Sequence, residues 1–169
     1  MPTPEELVKQ AVKWEMPAIA LTDHNGLYGI PRFWEASQKA GIKAIIGCEI
    51  TLDNKCGHLT LLAENQIGYS NLCRLITLSH HKGRKGQALL QENTLIENSA
   101  GLIALSGCRK SSIVQDLISR DYQKAIHTAS RYSEIFGKDC FFLEMQNHHE
   151  RNDYYINEQI ANLSNKLML

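Results

Sequence analysis

The stretch Ala18-Ile19-Ala20-Leu21-Thr22, followed at once by Asp23-His24-Asn25-Gly26, decides how the chain is read. A short apolar run bounded by Pro17 and a polar turn predicts a buried strand over Ala18 to Thr22. Upstream, Pro4 to Glu15 is predicted to be helical. Thr3 can cap it, Pro4 suits its first turn, and Leu7, Val8, Ala11 and Val12 recur at helical spacing. Downstream, Ile30 to Ala40 is a second helix, with Phe33, Ala36 and Ala40 on one face and Gly41 at its C-cap. A second strand, Lys43 to Leu52, follows.

The alternation continues to the end of the chain. His58 to Ala63 is predicted as a third strand, after a turn around Asp53-Asn54-Lys55. Gly68 to His80 is helical, and His81 to Gly86 is a basic, glycine-rich loop. Leu90 to Asn98 is a short helix and Gly101 to Ser106 a fourth strand. Helices follow at Ser111 to Ile118 and Tyr122 to Phe136, then a fifth strand at Cys140 to Gln146 and a last helix at Asp153 to Leu167. Strands separated by helices predict one α/β domain with a mostly parallel sheet. No internal repeat or linker divides residues 1–169. In such folds the chemistry gathers in the loops at the C-terminal ends of the strands.

Composition narrows the function classes. Lys and Arg together number 18, as do Asp and Glu, and 43% of the 169 residues are hydrophobic. These values exclude a disordered or fibrous chain. No apolar run approaches the roughly 20 residues that span a membrane. Met1 to Glu15 has the character of neither a signal nor a transit peptide, so no membrane partner is expected. The neutral balance argues against a general basic surface for DNA but leaves room for a local basic patch. The five cysteines (Cys48, Cys56, Cys73, Cys108 and Cys140) include no CxxC pair, which argues against a zinc finger. Reduced thiols in a cytoplasmic protein are the simplest reading. GxxxxGK[ST], GxGxxG and GxSxG motifs are all missing.

The strand ends supply the candidates. Asp23 and His24 leave the first strand, and such a pair can hold a metal or form a polar turn. Glu49 interrupts the apolar end of the second strand: it is either a buried carboxylate needing a cation or an outward residue on alternating pleats. His58 opens the third strand, an end that the strand-end rule does not favour. Cys108 follows the fourth strand as a possible thiolate ligand or a small apolar side chain. His148 and His149 follow the fifth. The run His80-His81-Lys82-Gly83-Arg84-Lys85 can touch phosphates or be a solvated loop. His127 reads as surface, and Trp14, Met16 and Trp34 as packing residues.

Several segments occur together in a telling order: Pro4-Glu5-Glu6-Leu7-Val8, Ala20-Leu21-Thr22-Asp23-His24-Asn25-Gly26-Leu27-Tyr28-Gly29, Ala40-Gly41-Ile42-Lys43-Ala44-Ile45-Ile46-Gly47-Cys48-Glu49, His58-Leu59-Thr60-Leu61-Leu62-Ala63-Glu64-Asn65, Leu105-Ser106-Gly107-Cys108 and Phe142-Leu143-Glu144-Met145-Gln146-Asn147-His148. The series resembles the polymerase-and-histidinol-phosphatase (PHP) domain at the start of bacterial DNA polymerase III alpha subunits. The resemblance runs nearly end to end and implies a distorted, TIM-like βα barrel. Its mouth would hold up to three divalent ions, zinc, manganese or iron. By motif it implies His24, Glu49, His58 and Cys108 as ligands, His24 and Asp23 at the chemistry, and His148 near the mouth.

The family begins with a strand carrying His-x-His and a following Asp, and ends with a strand carrying Asp-x-His. Neither motif is present here, so an internal piece of the domain is expected: an incomplete barrel lacking its first and last strands and about half of the ligands. Weak metal binding by this chain alone is expected to follow. For the intact parent the resemblance implies a DNA-directed DNA polymerase with metal-dependent 3′–5′ exonuclease proofreading. Its partners would be DNA, the other domains of the alpha subunit and replisome subunits. Two other readings are an inactive scaffold and a free-standing phosphoesterase of histidinol-phosphatase type. The helix Gly68-Tyr69-Ser70-Asn71-Leu72-Cys73-Arg74-Leu75 looks polymerase-like and disfavours the latter.

Overall fold

Thr3 starts the first helix as its position predicts. In the computed structural model, which describes residues 2–53, 57–82 and 88–169, its hydroxyl accepts the Glu6 N–H at 3.3 Å. The Glu6 carboxylate accepts the Thr3 N–H in return at 2.7 Å, a reciprocal cap of helix α1 (Pro4–Lys13). Strand β1 (Ala18–His24) follows, two residues longer than expected, so His24 stands on its last rung. Helix α2 (Ile30–Ala40) ends at Gly41 and leads into β2 (Lys43–Leu52).

β1 and β2 pair in parallel, with His24 opposite Glu49. β3 (Gly57–Ala63) pairs antiparallel to β2, with Thr51 opposite His58. After α3 (Gln66–Lys82) and α4 (Glu92–Glu97), β4 (Leu102–Leu105) pairs antiparallel to β3. Helices α5 (Ser112–Ile118) and α6 (Tyr122–Phe136) then lead to β5 (Phe141–Phe142), parallel to β4, and α7 (Asp153–Leu167) follows. The sheet order is β1-β2-β3-β4-β5, an open sheet in which β3 alone among the described strands runs the other way.

The expected mostly parallel sheet is therefore mixed. Only residues 53–56 separate β2 from β3, and a parallel return needs a crossover of a dozen residues or more. Three smaller differences have local causes. The fifth strand stops at Phe142 because the next ladder position is taken by a side chain: Ser106 Oγ accepts the Glu144 N–H at 2.8 Å. Leu90 is not helical but bridges Leu52. Helix α3 runs on through His81 and Lys82, so the expected loop starts later. The rest of that loop, Cys56 and the expected turn at Asn54-Lys55 lie outside the described residues.

Two buried clusters hold the layers together. Val8 and Ala11 of α1, Ile30 and Phe33 of α2, and Ile42 pack on the β1 side of the sheet. A larger cluster joins Ile50, Leu59, Leu61, Ala104 and Phe141 of the sheet to Leu72, Leu75, Ile113, Ala129 and Ile160 of the helices. Trp14, Trp34 and Met16 are not core residues: they are 68%, 48% and 43% exposed, because Trp14 and Met16 lie past the end of α1 and Trp34 lines an open groove with Ala44, Ile46 and Tyr69. His127 is exposed, as expected. None of the described helices is long and apolar enough to cross a membrane.

Candidate metal centre

The inverted β3 explains how residues from opposite strand ends meet. β1 and β2 bring the C-terminal residues His24 and Glu49 to one edge of the sheet. Running the other way, β3 brings its first residues to that same edge, and β4 delivers the loop carrying Cys108 there. His58, which the strand-end rule disfavoured, thus sits between the other candidates. Backbone packing makes room for it. Gly57 has φ +67°, and a Cβ there would lie 2.1 Å from the Lys110 carbonyl oxygen. No other residue could bring His58 so close to the loop after β4 without strain.

The ligand atoms of His24, Glu49 and His58 lie within 4.8 Å of one another. His24 Nε2 is 3.3 Å from His58 Nε2 and 3.8 Å from Glu49 Oε1. The other nitrogen of His58, Nδ1, contacts Glu49 Oε1 and lies 3.6 Å from Cys108 Sγ. The two rings meet edge to face, with centroids 4.7 Å apart. Exposure grades across the group, from 13% for the His58 side chain through 25% for Glu49 to 53% for His24. The cluster opens through His24 into a cleft of about 570 Å³, lined also by Asn25, Tyr28, Thr51, His80, Ala88 and Leu89.

This donor set fits a divalent ion. Two imidazoles and a carboxylate, with a thiol beside them, match the ligand chemistry of zinc and related ions.

Asp23 and His148 lie apart from this group. Alternation along β1 turns Asp23 away from His24, and its carboxylate accepts the Gly29 N–H at 2.6 Å. It thereby fixes the turn that leads into α2. His148 Nε2 lies 3.4 Å from Gln146 Oε1, and its backbone N–H donates to Asp153 at 2.8 Å. Backbone N–H groups of Glu150 and His148, with Arg109 nearby, hold the Asp153 carboxyl below its usual range.

Asn25 and Thr51 are the residues that sequence reasoning passed over, and His80, read there only as part of a basic run, joins them. Asn25 has φ +53°, a conformation Asn tolerates better than most residues. Its N–H donates to the Glu49 carbonyl at 2.8 Å, and its own carbonyl accepts from His80 Nε2 at 2.8 Å. Thr51 N–H donates to Asn25 Oδ1 at 2.8 Å. The available signal was the Asn itself, placed in the turn directly after the ligand His. Cys48, next to Glu49, points the other way into the core, and burial pushes its thiol pKa up to about 11.

Comparison with known proteins identifies the family. The sequence profile of the PHP domain matches residues 1–148. The DNA polymerase III subunit alpha of Borreliella burgdorferi is 32% identical over 96% of this chain, which covers 15% of that protein. An error-prone DNA polymerase of Symbiobacterium thermophilum is 36% identical over 98% of the chain and 16% of its own length. The chain thus spans about one-sixth of the length of these relatives. Among solved structures, a Bifidobacterium adolescentis protein to which a metal-dependent phosphoesterase activity is ascribed superposes with a TM-score of 0.59. That match covers all of this chain and 80% of that one at 14% identity, a likeness of fold.

Proposed function

Because this chain belongs to the PHP domain family, we propose that it is the metal-bearing PHP segment, over residues 1–169, of a replicative DNA polymerase III alpha subunit. The observation that carries the proposal is the convergence of His24, Glu49 and His58 within 4.8 Å, beside Cys108.

A bound divalent ion, zinc, manganese or iron, supplies a water of lowered pKa and a charge for phosphoryl oxygens. His24 and His58 offer the nitrogens, Glu49 the carboxylate, and Cys108 a thiol next to His58. Glu49 also accepts from His58 Nδ1 and so fixes that ring. Asp23 acts at one remove, by holding the turn after His24, and His148 lies on a neighbouring loop at the same sheet edge. The cleft beyond His24 admits the end of a DNA strand. The reaction this supports is metal-dependent hydrolysis of a phosphodiester, 3′–5′ exonucleolytic proofreading in the whole polymerase. DNA, the remaining domains of the alpha subunit and other replisome proteins are the partners, and the cytoplasm the compartment.

Calorimetric titration with zinc and with manganese tests the ion site, and release of 3′ nucleotides from single-stranded DNA tests the chemistry. Saturable ion binding that His58→Ala abolishes, with 3′-end removal, is the expected result. Hydrolysis of small phosphomonoesters alone would point to a histidinol-phosphatase-type enzyme, and ion binding without any hydrolysis to a scaffold. No saturable ion binding would overturn the proposal.

A further inference from the structure

The hydrogen bonds around Asn25 carry a consequence for His24. The backbone N–H of Thr51 can only donate, so the Asn25 atom it meets at 2.8 Å is the amide oxygen. The amide NH₂ therefore faces Thr51 Oγ1 at 2.9 Å and His24 Nδ1 at 3.1 Å. A ring nitrogen that receives an N–H must bear a lone pair, so the neutral His24 ring carries its proton on Nε2. Nε2 is the nitrogen that faces the cluster, 3.3 Å from His58 Nε2.

We propose that Asn25 is the positioning residue of His24 and that it holds the ring in the tautomer opposed to ion binding through Nε2. The proposal rests on the reading of this cluster as an ion site. To free the Nε2 lone pair, the proton must move to Nδ1, where the amide offers another N–H and no acceptor. Ion capture by His24 therefore breaks the contact with Asn25. A carboxylate at position 25 reverses the preference. One oxygen keeps the Thr51 N–H, and the other accepts a proton on His24 Nδ1, in the carboxylate–histidine pattern that favours metal ligation. Aspartate also tolerates the left-handed backbone of this position.

The test is Asn25→Asp, read in two ways. Long-range proton–nitrogen spectra of the metal-free proteins, at mildly alkaline pH, report which nitrogen of His24 is protonated. The proton is expected on Nε2 in the parent and on Nδ1 in Asn25→Asp. Calorimetry with zinc alone is expected to show tighter binding in the variant by about tenfold or more. The parent spectrum needs no variant to fold: a proton on Nδ1 there overturns the proposal. Tighter zinc binding in the variant with the proton unmoved would be an effect of charge alone and would also overturn it. If neither protein takes up zinc, the ion-site reading fails while the spectra still decide the role of Asn25.

Discussion

At the scale of single residues, His58 is the side chain on which the centre turns. One of its nitrogens faces His24 and the other faces Glu49 and Cys108, and it is the least exposed of the metal group. Replacing it removes a ligand and the link between the remaining donors. His58→Ala is expected to weaken zinc binding by more than about 100-fold. His24→Ala, at the open side of the group, is expected to cost less, and calorimetry ranks the two. Cys48 gives a separate prediction with a definite sign. Its thiol is buried, which raises its pKa from 9.0 to about 11. The unfolded chain therefore releases this proton first as pH rises. The stability held by the neutral buried thiol is complete below about pH 9 and is lost between about pH 9 and 11, by about 2 to 3 kcal/mol. Urea unfolding across that range checks it: Cys48→Ala is expected to show a shallower alkaline decline than the parent.

At the scale of elements, the reversal of β3 does most to build the site. Its neighbours β2 and β4 both reach the edge with their C-terminal ends, and only an inverted strand can bring its first residues there. That reversal was legible, because the four positions between Leu52 and Gly57 are too few for a crossover. The alternation of strands and helices pointed to parallel pairing and hid it. Three helix starts were marked by local chemistry, with Thr3, Ser111 and Asp121 capping through their side chains, whereas α2, α4 and α7 begin without a side-chain cap. The extent of β5 was not legible, since it is cut short by a bond from Glu144 to Ser106, distant in sequence. Nor was the role of Asn25, whose partners Thr51 and His80 come from two other elements. The start of β3 is itself testable. Gly57→Ala puts a side chain at φ +67° and drives its Cβ to 2.1 Å from the Lys110 carbonyl. A loss of about 3 kcal/mol in chemical denaturation is expected, along with weaker zinc binding because His58 moves with its strand.

At the scale of the whole molecule, the ion site draws its side chains from three paired strands that pass between the two apolar clusters. His24 belongs to β1, which packs beneath α1 and α2 in the smaller cluster, while the strands of Glu49 and His58 run into the larger one. Leu27 and Ile46 already pack against both clusters, and an ion held by all three side chains adds to that packing and binds only when the three strands are paired. Mass action then turns affinity into stability, about 2.7 kcal/mol when free zinc is 100 times its dissociation constant. For a chain of 169 residues each kcal/mol raises the unfolding midpoint by about 2 to 4 °C. Scanning calorimetry with that excess of zinc, against the same protein in chelator, is expected to show a rise of about 5 to 10 °C. His58→Ala is expected to show almost none of it. An equal rise in that variant would place the stabilising ion elsewhere on the chain, at exposed histidines such as His149 or His127, and would sink the link between this site and stability.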